Sequence, residues 1–317
     1  MSNNLIVSSS PHLHSGARTR KIMLDVIIAL LPATAMAVIF FGLNALLLIA
    51  VTTAAAVLSE FLFNAITKKK QTVGDLSAIV TGLLLALTLP ASTALWQAII
   101  GAVFAIVVVK CLFGGIGCNF ANPAIAARVM MLISFTNNVA NGTNTTFAEQ
   151  PLQAGATPLA ILGKEGAVLP SLTDMLIGNR GGAIGETCAI ALLIGFVYLL
   201  IKKVISWHTP VVFIASTFVL TFLMDGFNLT TSLYHVLGGG LLLGAIFMAT
   251  DYVTSPITKW GKVIFAFGCA LFTVIIRVYG SLPEGVSYAI LLMNILATPI
   301  EILTAPKALG AKKGGKA

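Results

Sequence analysis

Three acidic residues stand where so apolar a chain seldom tolerates charge. Asp25 and Glu60 interrupt hydrophobic runs, and Asp251 closes the string Phe247-Met248-Ala249-Thr250-Asp251. A carboxylate within hydrocarbon is costly unless it is paired or binds something. Each is therefore a candidate for an ion pathway, with Asp251 first. The plainer role for Asp251 is to cap the next turn together with Thr254 and Ser255. Asn119 and Asn122, within Gly117-Cys-Asn-Phe-Ala-Asn-Pro-Ala124, place amides at the start of another apolar run. Amides and a carboxylate converging there would suit a polar ligand, or a cation such as Na⁺ that prefers oxygen. Lys110, Arg128 and Arg277 are the cationic counterparts.

A second cluster, Gly181-Gly182-Ala183-Ile184-Gly185-Glu186-Thr187-Cys188, marks the junction of a polar stretch with an apolar one. Small residues let a bulky group approach the backbone, and a helix start attracts phosphate, although Glu186 or Thr187 would equally serve as an ordinary cap. No Ser/His/Asp order, Walker loop or dinucleotide fingerprint is present. His12, His14, His208 and His235 show no ligand spacing. Cys111, Cys118, Cys188 and Cys269 read as small apolar residues, since none has the spacing of a zinc site or a complete iron-sulfur site.

The elements that must position these groups are membrane spans. Of 317 residues, 57% are hydrophobic and only 9% charged, with a mean hydropathy of +0.97; a soluble globular domain is excluded. The formal charge of +8 does not indicate nucleic acid, because the cations cluster at the ends of apolar runs, as in cytoplasmic loops of membrane proteins. Asp25 and the long polar lead argue against a cleaved signal peptide at Ala35-Met36-Ala37. About ten spans follow, at roughly 22–41, 44–66, 73–90, 93–110, 120–135, 187–203, 207–224, 231–250, 260–280 and 284–304. With residues 1–21 a cytoplasmic arm, alternate crossings put every lysine cluster inside and leave 136–186 as an extracytoplasmic loop. Residues 22–135 and 187–304 then form two five-helix repeats, and 305–317 a basic cytoplasmic tail. Odd halves enter from opposite sides, an inverted repeat. Gly82-Leu-Leu-Leu-Ala-Leu and Gly240-Leu-Leu-Leu-Gly-Ala match weakly, 158 residues apart (240 − 82). Breaks are expected near Thr88-Leu89-Pro90, at Gly114 to Pro123, at Thr250 to Pro256 and at Thr298-Pro299.

Ser9-Ser10-Pro11-His12 leading to Ile22-Met23-Leu24-Asp25, together with the Gly117–Ala124 string, Gly185-Glu186-Thr187 and Phe247–Asp251, resembles RnfD, a subunit of the Rnf complex, which is a membrane ferredoxin:NAD⁺ oxidoreductase. The likeness spans nearly the whole chain. It is also similar to the homologous NqrB of the Na⁺-translocating NADH:quinone reductase, which carries a longer N-terminal extension. The resemblance implies an all-α polytopic fold of two inverted five-helix repeats, urea-transporter-like, in a bacterial or archaeal plasma membrane with both termini cytoplasmic. It also implies FMN joined through its phosphate to Thr187, beside Gly185 and Glu186, by a separate flavin transferase. Cys188 departs from the Ser or Thr common next in the family. A noncovalent riboflavin is implied near the cytoplasmic side, close to Asn119, Asn122 and Asp251. The implied partners are the A, B, C, E and G subunits of the Rnf complex, with Na⁺ or H⁺ moved by way of Asp251, Asp25 and Glu60. The competing expectation is a channel or secondary transporter for a small solute, without redox function.

Overall fold

The computed structural model describes residues 18–139, 142–143, 145, 154–155, 157–162, 169–280 and 284–306. The Ser9–His12 motif, His14, Lys164 and the lysines of the C-terminal tail lie outside the described residues. Helix α1 (Thr19–Ile66) would measure about 72 Å if straight, more than twice a bilayer core. It bends at Gly42 (φ 67°, ψ −151°), joining the two spans expected at 22–41 and 44–66. Then come α2 (Ser77–Thr88), α3 (Leu95–Cys111, π-helical from Phe104), α4 (Pro123–Ser134) and the short α5 (Thr136–Val139). The connecting region contains β1 (Gly142–Thr143) paired antiparallel with β2 (Ala154–Gly155), α6 (Pro158–Ile161) and α7 (Leu172–Ile177). The second half contains α8 (Ala189–Ile201), α9 (His208–Met224), α10 (Leu229–Leu237), α11 (Leu241–Met248), α12 (Lys259–Tyr279) and α13 (Val286–Thr304).

Among the described residues α1, α12 and α13 are each long and apolar enough to cross a membrane, and α10 with α11 makes a fourth span bent by 59°. The other main helices are apolar but shorter. Packing follows membrane rather than soluble logic. The buried stripe of α1 is rich in alanine (Ala29, Ala33, Ala37, Ala45, Ala56), whereas Leu31, Leu43 and Leu62 are exposed. Small residues let helix backbones meet closely, and the large ones are left for lipid.

The expected breaks are partly confirmed. Helix α2 stops at Thr88, before Pro90, and α4 starts with Pro123 at its first position, capped by Asn122. Pro299 breaks nothing, since α13 runs through it. The eighth apolar stretch breaks in its middle, at 238–240, where three glycines follow one another. The weak sequence match also does not define equivalent places. Gly82 lies inside α2, while Gly240 precedes α11. The helix starts align better: Ser77 with Leu241 and Leu95 with Lys259 are each 164 residues apart (241 − 77, 259 − 95), and Pro123 with Val286 is 163 apart (286 − 123). Leu76 and Gly240, which precede α2 and α11, share a left-handed backbone (φ 64° and 67°).

Candidate functional site

Where α1 begins, a cavity of about 860 Å³ opens between α1, α2, the 116–123 loop, the end of α8 and the turn after α11. Its walls are mostly apolar, with Lys110, Asn119, Asn122, Thr250 and Asp251 as polar points. The three residues singled out in two distant segments, Asn119, Asn122 and Asp251, are thus brought together.

Each polar group is held in place. The Asn122 side chain accepts from Ala124 N (3.0 Å) and Ile125 N (3.3 Å), while Nδ2 donates to Met248 O (3.3 Å), tying the start of α4 to the end of α11. Asn294, buried in α13, completes the tie: its amide donates to Thr254 O (3.1 Å) and accepts from Asn122 N (3.1 Å). Asn119 Nδ2 donates to Ala121 O. Asp251 Oδ2 accepts from Thr254 Oγ1 (3.1 Å), and Ser255 Oγ donates to Asp251 O (2.6 Å), so the capping role is real. Burial raises the Asp251 carboxyl above the usual carboxylate range, against the pull of the Thr254 hydroxyl and the Val253 and Tyr252 amides.

Glu60 is not a free intramembrane acid. Lys110 Nζ, buried at the cavity wall, lies 2.9 Å from Glu60 Oε2 and 2.6 Å from Ser77 Oγ, and Thr72 Oγ1 donates to the other Glu60 oxygen at 2.5 Å. Asp25 accepts from Tyr198 OH on α8 at 2.9 Å.

The Thr187 junction is built differently. Ile184 N donates to Leu89 O (3.0 Å) and Gly185 N to Leu87 O (2.8 Å), so this stretch pairs with the chain leaving α2. Only glycine fits at 185: a Cβ there would meet Leu87 Cβ at 2.4 Å. Buried Arg180 holds the stretch from the side, donating from Nη2 to Glu186 O (2.7 Å) and Leu237 O (2.6 Å) and from Nε to Thr187 O (3.3 Å). Thr187 is 1% exposed and immediately precedes Cys188, the cap of α8. Glu186 accepts from Ala183 N (3.2 Å) and turns its other oxygen toward Gly240.

The flavins implied by the resemblance can be tested against these residues. A phosphate at Thr187 would meet the first, unpaired N–H groups of α8 and the positive Arg180 behind the backbone, a donor set that suits an anion. A planar heteroaromatic ring with a polar edge suits the apolar walls and the amides of the cavity at the start of α1.

Sequence reasoning missed Arg180, Asn294 and the Lys110–Glu60 pairing. A lone arginine seven residues before Thr187, and an asparagine amid the apolar α13, were the available signals.

Apolar helices of spanning length, one bent span and a polar-rimmed cavity between them mark a multi-pass integral membrane protein. The sequence profile of the NQR2, RnfD, RnfE family matches residues 6–310, and the chain belongs to that family. It is 45% identical, over 98% of this chain and 96% of the relative, to the D subunit of the Na(+)-translocating ferredoxin:NAD(+) oxidoreductase complex of Acetobacterium woodii. It is 37% identical to the D subunit of the proton-translocating ferredoxin:NAD(+) oxidoreductase complex of Clostridium ljungdahlii, over 98% of each chain. It is also 37% identical to the D subunit of the ion-translocating oxidoreductase complex of Stutzerimonas stutzeri, over 93% of each.

Proposed function

We propose that this chain is the membrane flavoprotein subunit of an Rnf-type complex, in which electron transfer between ferredoxin and NAD⁺ is coupled to movement of Na⁺ or H⁺. The observation that carries this reading is similarity over nearly the full length to the D subunits of complexes bearing those names. Because one relative is named for Na⁺ and another for protons, family membership leaves the ion open. Ten spans in two inverted repeats belong to the same reading, supported by the 163- to 164-residue alignment of helix starts. So does a plasma-membrane location with both termini inside, supported by the lysine clusters.

FMN on Thr187, and riboflavin in the large cavity, would supply the electron transfer when bound. The chain's own residues then have distinct tasks. Thr187 offers the hydroxyl for the phosphoester, which a separate flavin transferase makes. Gly185 lets the junction lie against α2, and Arg180 fixes its carbonyls. Asn119 and Asn122 present amides to the cavity ligand. Lys110, fixed by Glu60 and Ser77, sets a positive charge at the cavity wall. Asp251 offers carboxylate oxygens to a cation entering from the same side, with Asp25 and Glu60 in lesser roles.

The test is the covalent flavin. Acid-denatured protein, made with a competent flavin transferase, should fluoresce at its gel band, and Thr187→Ala should abolish that signal. A dark wild-type band would return the chain to the solute-carrier class. A fluorescent Thr187→Ala band would keep a flavoprotein and refute the attachment residue.

A further inference from the structure

A second cavity, of about 310 Å³, lies at the break between α10 and α11, lined by Arg128, Glu186, Gly240, Met248, Glu284 and Ser287 among others. About 20 Å³ of it is open to the centre of a water molecule, against the roughly 10–15 Å³ that one water needs. Arg128, from α4, is 1% exposed. Its Nη2 donates to Glu284 Oε2 at 2.5 Å, but its Nη1 has no partner among the described residues. An unpaired buried N–H is costly, so the cavity calls for an acceptor. The two carboxylates repel an anion. A bare metal cation is repelled in turn by the unpaired guanidinium N–H. Water fits, because it accepts from Arg128 and donates to a carboxylate.

Glu186, 6% exposed, forms no ion pair among the described residues; the only hydrogen bond its carboxylate receives there is from Ala183 N. The guanidiniums around it direct most of their N–H groups elsewhere, with Arg128 Nη1 and Arg277 Nε left without a partner among the described residues. Arg180, from its own segment, binds three carbonyls. Arg277, from α12, binds His235 O, Gly238 O and Gly239 O. Arg128 is paired with Glu284, which precedes α13. The other titratable groups there are Cys188 in its own segment, Tyr288 on α13 and, on α10, His235, whose Nε2 faces Asp225 at 3.4 Å. A buried carboxylate with no cation at ion-pair distance is pushed toward its neutral form by desolvation.

We propose that the Glu186 carboxyl is a proton-binding site at the break of the bent span, served by a water held between it, Arg128 and Glu284. The step is simple: a carboxylate oxygen takes a proton from hydronium, giving a carboxylic acid and water. Met248 lines this cavity, and its carbonyl accepts from Asn122, which lines the larger one, so a single layer separates the two. The site stands on its geometry; its place in an ion route rests on the function proposed above.

Infrared pH-difference spectra of the purified, oxidised, resting complex test it without turnover. Acidification should bring up the C=O stretch of a protonated carboxylic acid, and E186Q should remove it. E284Q frees Arg128 to pair with Glu186, so there the band should titrate at a proton concentration at least about tenfold higher. A band unchanged in both variants overturns the proposal, as does a wild type that shows no such band. Should E186Q fail to assemble, the E284Q shift decides alone. In-gel flavin fluorescence of the same preparations reports on the redox reading separately, so either can fail while the other stands.

Discussion

Two helices end inside the bundle, and their exposed carbonyls are satisfied in different ways. At the end of α2, Leu87 O and Leu89 O accept from the backbone of Gly185 and Ile184, a neutral, strand-like contact. At the end of α10, Leu237 O accepts from Arg180, and His235, Gly238 and Gly239 accept from Arg277. A broken helix in hydrocarbon must find donors somewhere. The difference shows that a backbone donor fixes shape, whereas a guanidinium also leaves charge behind. The break capped by arginines is the one that gathers carboxylates. The break capped by backbone carries the hydroxyl expected to hold a flavin.

The sharpest way to break this comparison is to remove one cap from each side. Arg277→Met strands three carbonyls at about 1–3 kcal/mol each, and should cost about 5 kcal/mol of stability in detergent denaturation. Gly185→Ala forces a Cβ onto Leu87 and should cost about 1–3 kcal/mol. Were Gly185→Ala the costlier change, the guanidinium would not be the stronger cap. A second contrast lies within the large cavity. Lys110→Met leaves Glu60 buried and unpaired and should cost about 3–5 kcal/mol, whereas Lys110→Met with Glu60→Met should recover most of that loss. Equal destabilisation by the single and double variants would show that Lys110 acts through Ser77 instead.

Much of this was legible from residue types. Apolar run length located most helices, and Pro90, Pro123 and Asn122 marked real ends. Asn119, Asn122 and Asp251 stand out in separate segments because polar side chains are scarce here, and they meet at one cavity. Pairing was not legible. Lys110 finds Glu60 across 50 residues and Arg128 finds Glu284 across 156, distances that no local periodicity encodes. The end expected at Thr250 to Pro256 is real, but a further break at Gly238-Gly239-Gly240, whose glycines supply the flexible backbone, was not read. Pro299 misleads because a helix tolerates proline where neighbouring groups satisfy the freed carbonyl.

The smallest expected effect concerns Asp251, which separates capping from ion binding. Burial raises its carboxyl in the folded protein, so the folded state holds the proton more tightly than the unfolded chain does. Stability from this source is complete below the ordinary carboxylate range and declines as pH rises through the raised value. Asp251→Asn cannot ionise and keeps an oxygen for the Thr254 hydroxyl. Its melting temperature should therefore match wild type in acid and exceed it slightly at neutral pH, in the absence of added Na⁺. If Asp251 binds Na⁺, added Na⁺ should raise the wild-type melting temperature at neutral pH and leave Asp251→Asn unmoved. Parallel curves for the two proteins at every pH and salt condition would leave Asp251 with its cap alone.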